Sequence, residues 1–137
     1  MKYLTSLFIA LLFCTFSFAQ TEVHPLDEEL NECVNENYSN HGMIQCHAKY
    51  QEEWDKLLNK YYKLLTEHAT EDIQLKLKES QRTWLKMRDQ EFEFIESFYG
   101  SMEGSMYNLV IVNMKRKFVR NRALELKAYY NILEMDE

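Results

Sequence analysis

The chain has 137 residues, 46% hydrophobic and 14% aromatic, with 16 Lys and Arg against 22 Asp and Glu for a net charge of −6. That length suits one domain with a single core. The acidic balance repels nucleic acid and anionic lipid, which sets both aside, and favours a cationic protein as partner.

The first 19 residues read as a secretory signal: Lys2, an apolar stretch from Leu4 to Phe18, then Ser-Phe-Ala before Gln20. Cleavage after Ala19 is expected, giving an exported protein, periplasmic or extracellular. The stretch is short for the roughly 20 residues of a membrane span, and Thr5, Ser6, Thr15 and Ser17 interrupt it, so no stable membrane insertion is expected. Lipid attachment at Cys14 is the competing reading, and the bulky Phe13 just before it argues against it. Cleavage removes one base and no acid, leaving 15 basic against 22 acidic residues, or −7. Residues 20–25 form an N-terminal tail and residues 26–137 the single domain.

With one proline and three glycines in the whole chain, helix breakers are few and the fold class is all-α. A short helix is expected over Leu26 to Asn35, with Asp27, Glu28 and Glu29 in its first turn, where the helix dipole favours acids. The stretch Asn37 to Gly42 ends it. The second helix spans Met43 to His68, on the i, i+3, i+4 recurrence of Tyr50, Trp54, Leu57, Leu58, Tyr61 and Leu65. Thr70 reads as the N-cap of a third helix reaching Phe98, whose stripe is Ile73, Leu77, Trp84, Phe92, Ile95 and Phe98. Gly100 to Ser105 interrupts helicity, since each glycine costs about 1 kcal/mol relative to alanine. Ser105 caps a fourth helix from Met106 to about Leu133, with Tyr107, Ile111, Met114, Phe118, Tyr129 and Ile132 on one face. Short connections make successive long helices antiparallel neighbours. The expected architecture is a small antiparallel bundle of three long helices plus a short N-terminal one.

Removing Cys14 with the signal leaves Cys33 and Cys46, and an even pair in an exported protein reads first as a disulfide. It would close a loop of about 14 residues, worth on the order of 3 kcal/mol. A metal site with the nearby His41 and His47 is the alternative. The spacing is not that of a zinc knuckle, and Cys46-His47 lacks the preceding cysteine of a haem-attachment motif.

No hydrolase motif, phosphate-binding glycine loop or calcium loop occurs, and no histidine has an evident nucleophile beside it. No catalytic residue, metal or cofactor is therefore assigned. Gln81 and Arg88 instead stand inside the apolar stripe of the third helix, and polar groups aimed at a core need partners. Arg122 and Glu125 share a face of the fourth helix at i, i+3 spacing, and Asp55, Asn59 and Tyr62 lie together on the second. These residues suggest one buried network, with Arg88 and Arg122 held by Asp55 and Glu125 and completed by Gln81.

The segments D-K-L-L-N-K-Y-Y from Asp55, Q-R-T-W-L-K-M-R-D from Gln81, the glycine and serine loop from Gly100 and R-A-L-E-L from Arg122 resemble the LprI-type lysozyme-inhibitor domain over about residues 30 to 130. The resemblance implies a small exported helical domain with disulfides and, for the best-known member, inhibition of lysozyme. Cys33 and Cys46 match the family's first two cysteines, Arg88 and Asp89 its R-D pair, and Arg122 its late arginine. Phe92 and Met114 stand where the family commonly has two further cysteines. Apolar packing between these two is expected in place of a second disulfide. On this resemblance the chain is expected to be a non-enzymatic protein that binds a protein partner, a cationic lysozyme. The loop residues Ser101, Met102, Glu103 and Ser105 are the candidate contact, because Glu103 could approach the enzyme's basic groups. The alternative is a cell-envelope adaptor that engages other envelope proteins through a helical face.

Overall fold

The computed structural model describes residues 23–135 and consists of four helices: α1 (Pro25–Glu36), α2 (Asn40–His68), α3 (Glu71–Gly100) and α4 (Met106–Met135). No strand occurs among the described residues. The signal segment, its cleavage after Ala19 and Cys14 lie outside them.

Local chemistry sets the boundaries. The chain's only proline is the first residue of α1, where its missing N–H costs nothing, and the His24 ring accepts from the Leu26 N–H. The hydroxyl of Ser39 caps α2 by accepting from the Gly42 N–H at 3.0 Å. Thr70 precedes α3 in an extended conformation but makes no side-chain cap bond. Helix α3 then runs on through Gly100, two residues past the expected end.

The expected packing needs one correction. Helix α2 lies mainly against α4 and meets α3 only sparsely. Asn40 reaches Ser105, His47 reaches Arg116 and Tyr61 meets Tyr130, so α2 and α4 run parallel. Helix α3 returns antiparallel along α4, pairing Phe92 with Phe118 and Gln81 with Arg122. A 30-residue α3 spans the full bundle length and leaves α4 free to start beside the N-terminus of α2.

The main core joins Trp54, Leu58 and Leu65 of α2 to Trp84 of α3 and Val119, Ala123 and Leu126 of α4. Trp54, Leu58 and Leu126 are almost fully enclosed, and each contributes roughly 1.5–3 kcal/mol by leaving water. A second cluster of Leu30, Cys46 and Tyr50 seats α1 on α2. The Cys33–Cys46 disulfide closes it, with Cα atoms 5.9 Å apart. Gly42 is required here, because a Cβ would come within 2.8 Å of the Asn37 Cβ.

The outer ends of the expected stripes are not core. Ile73 and Phe98 on α3, and Tyr129 and Ile132 on α4, are about half exposed. Because α3 leans on α4 and barely touches α2, the seam covering it is narrower than its apolar stripe.

Candidate functional site

The expected single network divides into separate groups. The Arg122 guanidinium is buried and donates in three directions: from Nε to Gln81 Oε1 at 3.1 Å, from Nη1 to Glu125 Oε2 at 2.6 Å and from Nη2 to Ser80 Oγ at 3.1 Å. Gln81, Arg122 and Glu125 thus come together, joined by Ser80, which the pattern did not single out. Asp55 and Arg88 do not join them. Asn59 donates to the Asp55 carboxylate at 3.0 Å within α2. Arg88 donates to its neighbour Asp89 at 2.9 and 2.7 Å, and its guanidinium lies over the Trp84 and Phe92 rings. Its side chain keeps 26% of its surface in water. The splay between α2 and α3 separates Asp55 from Arg88, so a cleft occupies the place expected for an ion pair.

A second polar centre lies where α1 crosses α2 and α4. Asp27 was expected only to favour the start of α1, but its carboxylate accepts from Arg120 Nε at 2.9 and 2.8 Å and from Arg116 Nη1 at 3.5 Å. Arg116, with 6% of its side chain exposed, also donates to Asn113 Oδ1 and His47 Nδ1. Burial, then the nearby Arg116 and Lys117 charges, push the His47 imidazole down to about 4, so it is neutral and able to accept that bond. Burial also lowers Arg116, against the pull of Asp27. Arg120 covers the Trp54 ring, and the His24 ring lies 4.5 Å from it. One carboxylate therefore clamps α1 to two arginines of α4. The signal in the sequence was the i, i+4 spacing of Arg116 and Arg120 beside Val119 and Ala123.

The α3–α4 turn, residues 101–105, closes one end of the bundle. Ser101 donates to the Phe98 carbonyl at 2.7 Å, and Ser105 accepts from Asn40 at 3.1 Å, which ties the turn to the start of α2. Gly104 has φ +112°, a conformation that favours glycine. Glu103 is exposed and Met102 partly so. Beside them stand Phe94, stacked on Phe98, and Met106, with Phe94 60% exposed. Phe92 packs edge-on against Phe118 with the Lys115 ammonium over its ring. Lys115 also pairs with Glu96, which ties α3 to α4.

Among the described residues no three His, Cys, Asp or Glu side chains are grouped to hold a metal, and Cys33 and Cys46 are committed to their disulfide. No described helix is long and apolar enough to cross a membrane.

A crystal structure of an uncharacterized protein from Burkholderia thailandensis is similar, with a TM-score of 0.77 and 28% identity; the alignment covers 82% of this chain and 57% of that one. This chain therefore spans little more than half of that protein. The search of curated proteins returned no match. The family model described as "Lysozyme inhibitor LprI" matches residues 32–126, from α1 to Leu126 at the heart of the core, and so takes in Cys33, Cys46, Gln81, Arg88 and Arg122. On that coverage the chain belongs to the LprI lysozyme-inhibitor family.

Proposed function

We propose that this protein is exported and inhibits a lysozyme-like peptidoglycan hydrolase by docking its α3–α4 end against the enzyme. Family membership over residues 32–126 is the observation that carries this reading. Three features support the choice of surface. The end is an exposed interhelical turn, with Ser101, Glu103 and Gly104 open to solvent, as an element entering a substrate cleft must be. Phe94, Phe98 and Met106 leave about half or more of their surface exposed towards that end of the bundle, and aromatic and methionine side chains are favoured at interface cores. Glu103 and the net charge, −7 after signal cleavage with 15 basic against 22 acidic residues, suit a cationic enzyme, which speeds encounter most at low salt. The protein acts by binding and carries out no reaction of its own.

The test is turbidity loss of a cell-wall suspension with lysozymes of several classes at physiological salt, with the protein oxidised and reduced. Inhibition that grows with protein concentration is expected for at least one class. No inhibition and no binding to any class would remove the reading. The exposed Ile73, Met87, Phe94 and Phe98 along α3 favour an envelope adaptor as the second reading. Capture of an envelope protein through that face, without effect on lysis, would support it.

A further inference from the structure

The geometry points to a second site, in the cleft between α2 and α3, that binds a small carboxylate-bearing ligand rich in hydroxyl or amide N–H groups. Two adjoining cavities of about 360 and 510 Å³ fill the space left by the splay of these helices, and both are bordered by Asp55 and Arg88. Each is within the usual range for a small-molecule site.

The cleft wall formed by α3 is cationic in a protein that is acidic as a whole. Lys78, Arg82 and Arg88 border the smaller cavity, facing one carboxylate, Asp55, whereas the larger is bordered by Glu52, Asp55 and Asp89 against Lys56 and Arg88, so a ligand carboxylate belongs in the smaller one. Arg88 is engaged with Asp89, whereas Lys78 and Arg82 have no ion-pair partner among the described residues. Gln81 adds a fixed donor. It is 8% exposed and lines the cavity, and because its oxygen accepts from Arg122 its two amide hydrogens are the groups left for a ligand. Among the described residues no protein group takes up these hydrogens, and the nitrogen is not fully enclosed, so a ligand acceptor would replace water there. The α2 wall is complementary: Asn59 fixes the Asp55 carboxylate at 3.0 Å, and Asp55 can accept from a hydroxyl or N–H. Leu58, Trp84 and Leu85 supply apolar lining for a ring or a methyl group. Cationic donors on one wall and a fixed acceptor on the other define a ligand with a carboxylate at one end and donor groups at the other.

An N-acylated sugar acid linked to a short peptide has this chemistry, and it is a fragment of the polymer that lysozymes cut. That choice of fragment rests on the inhibitor reading; the chemistry of the cleft does not. The experiment contains no hydrolase, so failure of this site and failure of the inhibitor reading are distinguishable.

The test is an NMR titration of the isotope-labelled exported protein with muramyl dipeptide and, separately, with diacetylchitobiose, which has the N-acetyl sugar but no carboxylate. Muramyl dipeptide should shift the Asn59 and Gln81 side-chain amides and the Trp84 indole. Arg82→Glu, an exposed position whose folding is checked by circular dichroism, should weaken binding at least tenfold, and Asp55→Asn should weaken it less. Diacetylchitobiose should bind at least tenfold more weakly than muramyl dipeptide. The proposal is overturned if muramyl dipeptide shifts nothing or only residues outside the cleft, if diacetylchitobiose binds as well, or if Arg82→Glu binds like the wild type.

Discussion

Replacing Asp27 with alanine removes the one carboxylate among the described residues that pairs with Arg116 and Arg120. Breaking a fully buried ion pair in this way costs about 3–5 kcal/mol, because a charge is left without compensation. The environment here lowers that figure: Arg120 keeps 30% of its side chain in water and can rehydrate, so its share is about 1 kcal/mol. Arg116, only 6% exposed, retains Asn113 and His47 but no opposite charge, and accounts for about 2 kcal/mol. The sum of about 3 kcal/mol corresponds to a melting temperature lower by about 12 °C for a domain of this size. Differential scanning calorimetry of Asp27→Ala and Asp27→Asn at pH 7 measures it, and the asparagine, which keeps one acceptor oxygen, should lose about half as much. Adding Arg116→Met to Asp27→Ala removes the stranded charge and should recover part of the loss. An Asp27→Ala melting temperature within about 2 °C of wild type, or a double variant as unstable as the sum of its singles, would refute the reasoning.

Arg122→Ala strips the partner from Gln81, Ser80 and Glu125 and should cost about 2–3 kcal/mol in urea unfolding, whereas Arg88→Ala, at a partly exposed pair, should cost about 1 kcal/mol or less; the reverse order would restore the single network expected from sequence. His47 is held low in the folded protein, at about 4 against 6.5 for an ordinary histidine. The unfolded chain therefore takes up the proton first, and stability present above pH 6.5 is lost as pH falls toward 4. Partial solvent screening keeps that loss to about 2 kcal/mol, and His47→Gln should flatten the slope between these limits relative to wild type. Reducing the Cys33–Cys46 bond, or replacing both cysteines with serine, should cost about 3 kcal/mol in chemical denaturation while the Asp27 clamp still holds α1 on α4. Gly104→Ala should cost about 1–2 kcal/mol through its positive φ alone, since a Cβ there meets nothing.

The helices were legible because their cause is local. Apolar recurrence, one proline and three glycines are sequence properties, and the long elements follow from them to within a few residues. The start of α2 was misplaced because Gly42 looks like a breaker, and its need arises from the approach of Asn37 across the α1–α2 connection. Which helices pack together was less legible. Short connections make α3 run back along α2, but they do not decide that α2 spends its apolar face on α4. The same splay sets Asp55 apart from Arg88. Arg122 and Glu125 could be paired from their i, i+3 spacing and Cys33 with Cys46 by count. Asp27 and Arg120, separated by 93 positions, left no local mark of their pairing. Periodicity already left Phe94 off the apolar stripe of the third helix, but it put the half-exposed Phe98 on it, because exposure there depends on the narrow seam between α3 and α4.

The most direct measurement is the inhibition constant of the protein against a panel of lysozyme classes, set beside that of Phe98→Asp, which places a charge near the α3–α4 turn outside the main core. Wild type should inhibit, and Phe98→Asp should inhibit at least tenfold more weakly with an unchanged melting temperature. Equal inhibition by the two proteins would contradict the placement of the contact on the α3–α4 end, and no inhibition by wild type of any lysozyme class would contradict the function itself.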